Sequence, residues 1–117
     1  MLFEIFEKQV VEHILRKQTE QNNLLFQQFI ISEIISREFT GCGFFTDYYI
    51  RDKSLSLPGN VNIELWGFGE LEGVDNGVGF ILFIRDGFIS LLEGYVNTGV
   101  WPKNIGDYKF ISDEIKG

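Results

Sequence analysis

Two short turn signals inside one long apolar stretch set what this chain can fold into. Between Val61 and Val96 the sequence runs VNIELWGFGELEGVDNGVGFILFIRDGFISLLEGYV, cut at Asp75-Asn76-Gly77 and again at Asp86-Gly87. Asn-Gly and Asp-Gly supply the positive φ that tight hairpin turns demand, so the stretch predicts three consecutive antiparallel strands. With Asp86 and Gly87 as a two-residue loop, Arg85 faces Phe88, Ile84 faces Ile89, Leu82 faces Leu91 and Phe80 faces Glu93. On this register both faces of the hairpin are largely apolar, and Glu93 stands as an acid on an apolar face. A strand pair without clean alternation is usually covered on both sides. The expectation is helix on one face, and the C-terminal segment or a partner on the other.

The strand before it does alternate. Val61, Ile63, Leu65 and Leu71 share one row with Gly67 and Gly69; Asn62, Glu64, Trp66, Phe68, Glu70 and Glu72 share the other. The first row reads as core. The second mixes carboxylates with two large aromatics; the count holds if no bulge interrupts it, and Gly67 and Gly69 are where one would shift the register.

The flanks complete an α+β domain. Residues 2–18 place Phe3, Phe6, Val10 and Ile14, with Leu2, Val11 and Leu15, on one helical stripe, leaving Glu4, Glu7, Glu12, Arg16 and Lys17 on the other side and His13 on a polar face. A polar interruption over 19–23 offers Asn22 or Asn23 as cap for a second helix from Leu24. From about Glu33 the aromatic and β-branched residues, with Gly41-Cys42-Gly43 between them, predict a hairpin. Leu55 to Leu57 suggests a short strand, Leu57-Pro58-Gly59-Asn60 a turn, and Tyr108 to Ile111 an extended piece after a loop held by Trp101. The whole is a single domain over 1–117, an N-terminal helix or helical pair packed on an antiparallel meander of about five strands.

Catalytic and metal chemistry find little footing in these residue types. One cysteine, Cys42, excludes an internal disulfide, and one histidine, His13, supplies no second imidazole for a metal site. The glycine pairs lack the third glycine of a phosphate loop. Glu70, Glu72 and Glu93 are candidate paired acids, yet no cleft is implied to set two of them across a substrate. The expectation is a protein that is not an enzyme and uses no cofactor. No apolar run approaches the ~18 residues of a membrane span, and the N-terminus has no basic leader, so a cytoplasmic location is expected.

Charge is more informative than its total of −7. Residues 64–93 carry Glu64, Glu70, Glu72, Asp75, Asp86 and Glu93 against Arg85 alone, a local net charge of −5. Such a field repels nucleic acid and anionic membrane, and steers a basic protein toward the sheet.

Arg37–Thr46 (REFTGCGFFT), Gly77–Tyr95 (GVGFILFIRDGFISLLEGY) and Trp101-Pro102 resemble a group of small bacterial proteins with an FTGxGFFT-like segment, a GVGFxLFIxDGxIxxLEGY hairpin and a following WP loop. The resemblance spans roughly the C-terminal two thirds and departs from the pattern at Tyr95-Val96-Asn97-Thr98-Gly99. Proteins of this sort are similar to immunity proteins of bacterial toxin systems, contact-dependent growth inhibition among them. The resemblance implies a small acidic protein that binds and neutralises a cognate toxin, a basic nuclease-like domain. Glu64, Trp66, Phe68, Glu70, Glu72, Asp75, Glu93 and Trp101 are then the expected partner-binding residues, with aromatics as anchors and carboxylates as complements to toxin lysines and arginines. The alternative is an interaction or ligand-binding module whose sheet holds a small molecule or a second copy of itself.

Overall fold

The alternation of Ile63, Leu65, Gly67, Gly69 and Leu71 with Glu64, Trp66, Phe68 and Glu70 holds unbroken along strand β3 (Ile63–Leu71) and divides the sheet into a buried and an open side. In the computed structural model, which describes residues 2–17 and 22–111, helices α1 (Phe3–Arg16) and α2 (Asn22–Ile31) lie on the buried side. The sheet is wholly antiparallel and has six strands, ordered β1-β2-β5-β4-β3-β6. The other strands are β1 (Glu33–Phe39), β2 (Gly43–Tyr49), β4 (Val78–Arg85), β5 (Phe88–Val96) and β6 (Tyr108–Ile111). The fold is therefore α+β, as the residue pattern predicts. The sixth strand arises because Tyr108–Ile111 pairs with Phe68–Leu71 at the edge. The expected C-terminal cover, as far as Ile111, thus extends the sheet instead of lying across it; residues 112–117 fall outside the described residues. Overall extents of 41 × 40 × 21 Å match one helical layer on one sheet.

Helix α1 buries Phe6, Val10, Val11, Ile14 and Leu15 against the sheet. Phe6 is the hub, with its ring centroid 5.9 Å from Phe80, 6.2 Å from Trp101 and 4.9 Å from Tyr108. Gly67 is not a bulge. A β-carbon there would lie 2.9 Å from Ile14 Cγ1, so its absence lets the helix sit close on the strand. His13, expected on a polar face, stacks on Phe110 with centroids 4.9 Å apart. The second helix begins at Asn22, two residues before Leu24, so Asn22 and Asn23, expected as caps, are its first two residues; residues 19–21 of the predicted polar break lie outside the described residues.

Two polar clamps tie the layers together. Glu7, expected among the solvated residues, is buried: it accepts from Arg37 Nε at 2.9 Å and Nη2 at 2.7 Å, and from the Thr46 hydroxyl. The bidentate pair holds edge strand β1 to α1, and the carboxylate raises the Arg37 pKa, chiefly through the hydrogen bond. Gln28 is fully buried yet satisfied, donating to Leu55 O at 2.8 Å and Gly87 O at 2.9 Å while its Oε1 accepts from Ile89 N at 2.8 Å. Leu55 itself ends a 3-10 turn, Lys53–Leu55, in place of the predicted short strand; Asp52 nucleates it by accepting from Ser54 N at 3.0 Å.

The Asp86-Gly87 turn forms as predicted, with φ of 51° and 85°. The register beyond it does not follow. Arg85 faces Phe88 and Ile84 faces Ile89, but a bulge at Ser90 then sets Phe83 opposite Leu91, Leu82 opposite Leu92, Ile81 opposite Glu93 and Phe80 opposite Gly94. Glu93 accordingly turns to the open side, whereas the simple count places it beside Phe80 on the helix side. Cross-strand packing gives the reason. A β-carbon on Gly94 would lie 2.2 Å from the Phe44 ring on the helix side, so no side chain fits at the position facing Phe80. On the open side Tyr95 lies over Gly79 in the same manner, 2.3 Å from where a β-carbon would stand.

Candidate protein-binding face

Reading across the sheet on the side away from the helices gives three successive rows. The first holds Ile111, Phe68, Gly79, Tyr95 and Gly43. The second holds Trp66, Ile81, Glu93, Phe45 and Glu38; the third, Glu64, Phe83, Leu91, Asp47 and Ser36. No helix or strand among the described residues crosses these rows. Trp66, Phe68 and Ile111 are 41%, 38% and 40% exposed, and the Trp66 and Phe68 rings stack with centroids 6.2 Å apart. Toward the centre Phe45, Leu91, Phe83 and Tyr95 are half-buried and Ile81 is buried, each by its neighbours alone. Burial pushes the Tyr95 phenol above its usual range, and the Glu93 charge pushes it further.

Carboxylates run through and around this apolar centre. Glu38, Asp47, Glu64, Glu70 and Glu93 point to the open side by register, with Arg85 and Lys109 among them and a Glu33–Arg51 pair and Lys53 at the Tyr49 end. Lys109 is directly opposite Glu70, and the Arg85 guanidinium lies 4.7 Å above the Phe83 ring. Asp47 accepts from the Ser36 hydroxyl at 2.6 Å.

Of the residues singled out from the sequence, Glu64, Trp66, Phe68, Glu70 and Glu93 come together here. Glu72 and Asp75 sit instead in the β3–β4 connection, lining a cleft of about 700 Å³ with Glu70, Asp107 and Lys109; Glu72 Oε1 accepts from Asp107 N at 3.0 Å. Trp101 lies on the helix side, only 8% exposed, with its ring 5.2 Å from Phe44 and its amide donating to Gly41 O at 2.8 Å. Its structural place is that of a core anchor for the loop before β6. The sequence reading missed Phe45, Ile81, Leu91, Tyr95 and Ile111 as members of the face. For Phe45 and Ile81 the signal was alternation in β2 and β4, masked because both sides of those strands are apolar; Leu91 and Tyr95 reach the face through the bulge in β5, and Ile111 through the pairing of β6.

Cys42 is exposed in the turn between β1 and β2, and no described helix is long and apolar enough to cross a membrane. Among the described residues there is no grouping of three or more metal-ligating side chains. No protein family model, no curated protein and no solved structure matches the chain.

Proposed function

We propose that this chain is an immunity protein that binds a basic, nuclease-like toxin domain one to one and masks it with the open face of its sheet. The observation that carries this reading is a helix-free sheet face with exposed Trp66 and Phe68 set among carboxylates. Its size suits the task. Six strands at a spacing of about 4.8 Å and the nine residues of β3 at about 3.3 Å each span roughly 700 Å², close to the ~800 Å² one partner buries in a standard interface. Stacked aromatics provide the desolvated anchors, and the surrounding acids steer a cationic partner and exclude anionic ones. The resemblance of Arg37–Thr46 and Gly77–Tyr95 to bacterial immunity proteins supplies the class of that partner. Face-to-face pairing of two copies fits less well, because it would set Glu64, Glu70 and Glu93 of both copies into one interface.

The test is capture of the polypeptide encoded immediately upstream, followed by calorimetry at low and high salt. One-to-one binding that weakens with salt is the expected result. A protein that captures nothing basic, or that binds with no salt dependence, overturns the reading.

A further inference from the structure

We infer that Glu93 is the seat for a single arginine of the protein partner, an inference that rests on the binding-face reading above. Glu93 occupies the middle of the face, with Phe45 directly opposite on β2 and Ile81 directly opposite on β4. Leu91 and Tyr95 stand two residues away on its own strand. It is half-buried by these neighbours, and no described residue donates a hydrogen bond or forms an ion pair with it. The chain's own cations on this side lie away from it: Lys109 on edge strand β6 is opposite Glu70, Arg85 at the turn end of β4 is over Phe83, Lys53 is over Tyr49 and Phe88, and Arg51 is held by Glu33.

A carboxylate in this position is tolerable while water reaches it. Once a partner covers Phe45, Ile81 and Tyr95, that water is lost, and an unpaired buried charge is strongly unfavourable. Any partner seated on the aromatic centre must therefore bring a cation to Glu93. The surroundings favour guanidinium over ammonium, because a planar fork meets a carboxylate with two parallel hydrogen bonds while its flat faces pack on rings. The molecule uses this arrangement twice within itself. Arg37 bonds Glu7 through two nitrogens and lies 5.4 Å from the Phe3 centroid; Arg51 bonds Glu33 through two nitrogens and lies 5.7 Å from that of Tyr49. Glu93 between Phe45 and Tyr95 is a third carboxylate with aromatic flanks, and no arginine among the described residues pairs with it.

The probe is the peptide acetyl-Leu-Arg-Leu-amide, compared with its lysine and citrulline counterparts and followed by amide NMR shifts. Saturable shifts at Phe45, Ile81, Glu93 and Tyr95 are expected with arginine, weaker binding with lysine, and a loss of roughly tenfold or more with citrulline or in Glu93→Gln. Glu70→Gln, at the edge beside Lys109, serves as the control and should leave the peptide affinity within about twofold. Equal binding of lysine or citrulline, unchanged binding in Glu93→Gln, or no shift at any of the four residues overturns the seat. Capture of the upstream polypeptide separates this from the parent reading. Loss in Trp66→Ala but not in Glu93→Gln removes the seat and keeps the face, whereas capture unaffected by either substitution removes both.

Discussion

Phe44 and Gly94 face each other on neighbouring strands, and the ring of the first fills the volume that a side chain on the second would need. Through this contact β2, which follows the first hairpin turn, dictates where the bulge in β5 falls and hence which side Glu93 faces. Gly94→Ala is expected to destabilise the fold by about 1–3 kcal/mol as the Phe44 ring is displaced. Urea unfolding followed by Trp fluorescence measures it; unchanged stability would mean the ring gives way at no cost.

Arg37→Ala should cost about 3–5 kcal/mol, because it leaves the Glu7 carboxylate buried without its bidentate partner. Glu7→Gln combined with Arg37→Ala should recover part of that loss. A double-mutant cycle by thermal unfolding tests the coupling, and strictly additive losses would show that the two side chains act independently.

Gln28→Leu keeps the volume and removes the polar clamp. Ile89 N is then left buried with no acceptor from α2, and a loss of about 1–3 kcal/mol is expected. Chemical denaturation is the assay, and a neutral substitution would count against the clamp.

Alkali should unfold this protein through its tyrosines. Tyr48 is raised by burial first and by the Glu7 charge second, and Tyr95 and Tyr108 are raised chiefly by burial. A phenol whose folded pKa exceeds its unfolded value of about 10 leaves stability intact below that pH and lowers it as pH rises toward the folded value. Thermal midpoints from pH 8 to pH 11.5 should therefore hold until about pH 10 and then fall. Tyr48→Phe should make that fall shallower. An equally steep decline in the variant would assign the alkaline limit to other groups.

Trp66→Ala and Phe68→Ala should barely change stability, by about 0.5 kcal/mol or less, since both side chains stand on the open side. Binding to the proposed protein partner should fall by about 2 kcal/mol or more for at least one of them. Parallel unfolding and calorimetry on the same samples tell the two effects apart; a large stability loss with unchanged affinity would reverse the assignment.

The legible parts of this fold were those written in neighbouring residues. Asp86-Gly87 announced its hairpin, and Glu64 to Glu70 alternated plainly enough to put Trp66 and Phe68 on the outer row. What escaped depends on residues far apart in the chain. The bulge at Ser90 answers to Phe44, the burial of Glu7 answers to Arg37 and Thr46, and Gln28 looks like a polar intrusion in an apolar helix until the carbonyls of Leu55 and Gly87 arrive beside it. Gly67 showed the same limit. Its missing side chain reads as a break in the strand until Ile14 is known to occupy the space.

The strand order also sets how this sheet comes apart. β3, β4 and β5 are joined by short connections and form the middle, while β1 comes from the first half of the chain and the four-residue β6 from its end, each at an outer edge. Opening can proceed from either margin without breaking a pairing inside the meander. Amide protons of β4 should exchange with solvent most slowly, those of β1 and β6 fastest. The scaffold beneath Ile81 would then remain rigid while both rims breathe.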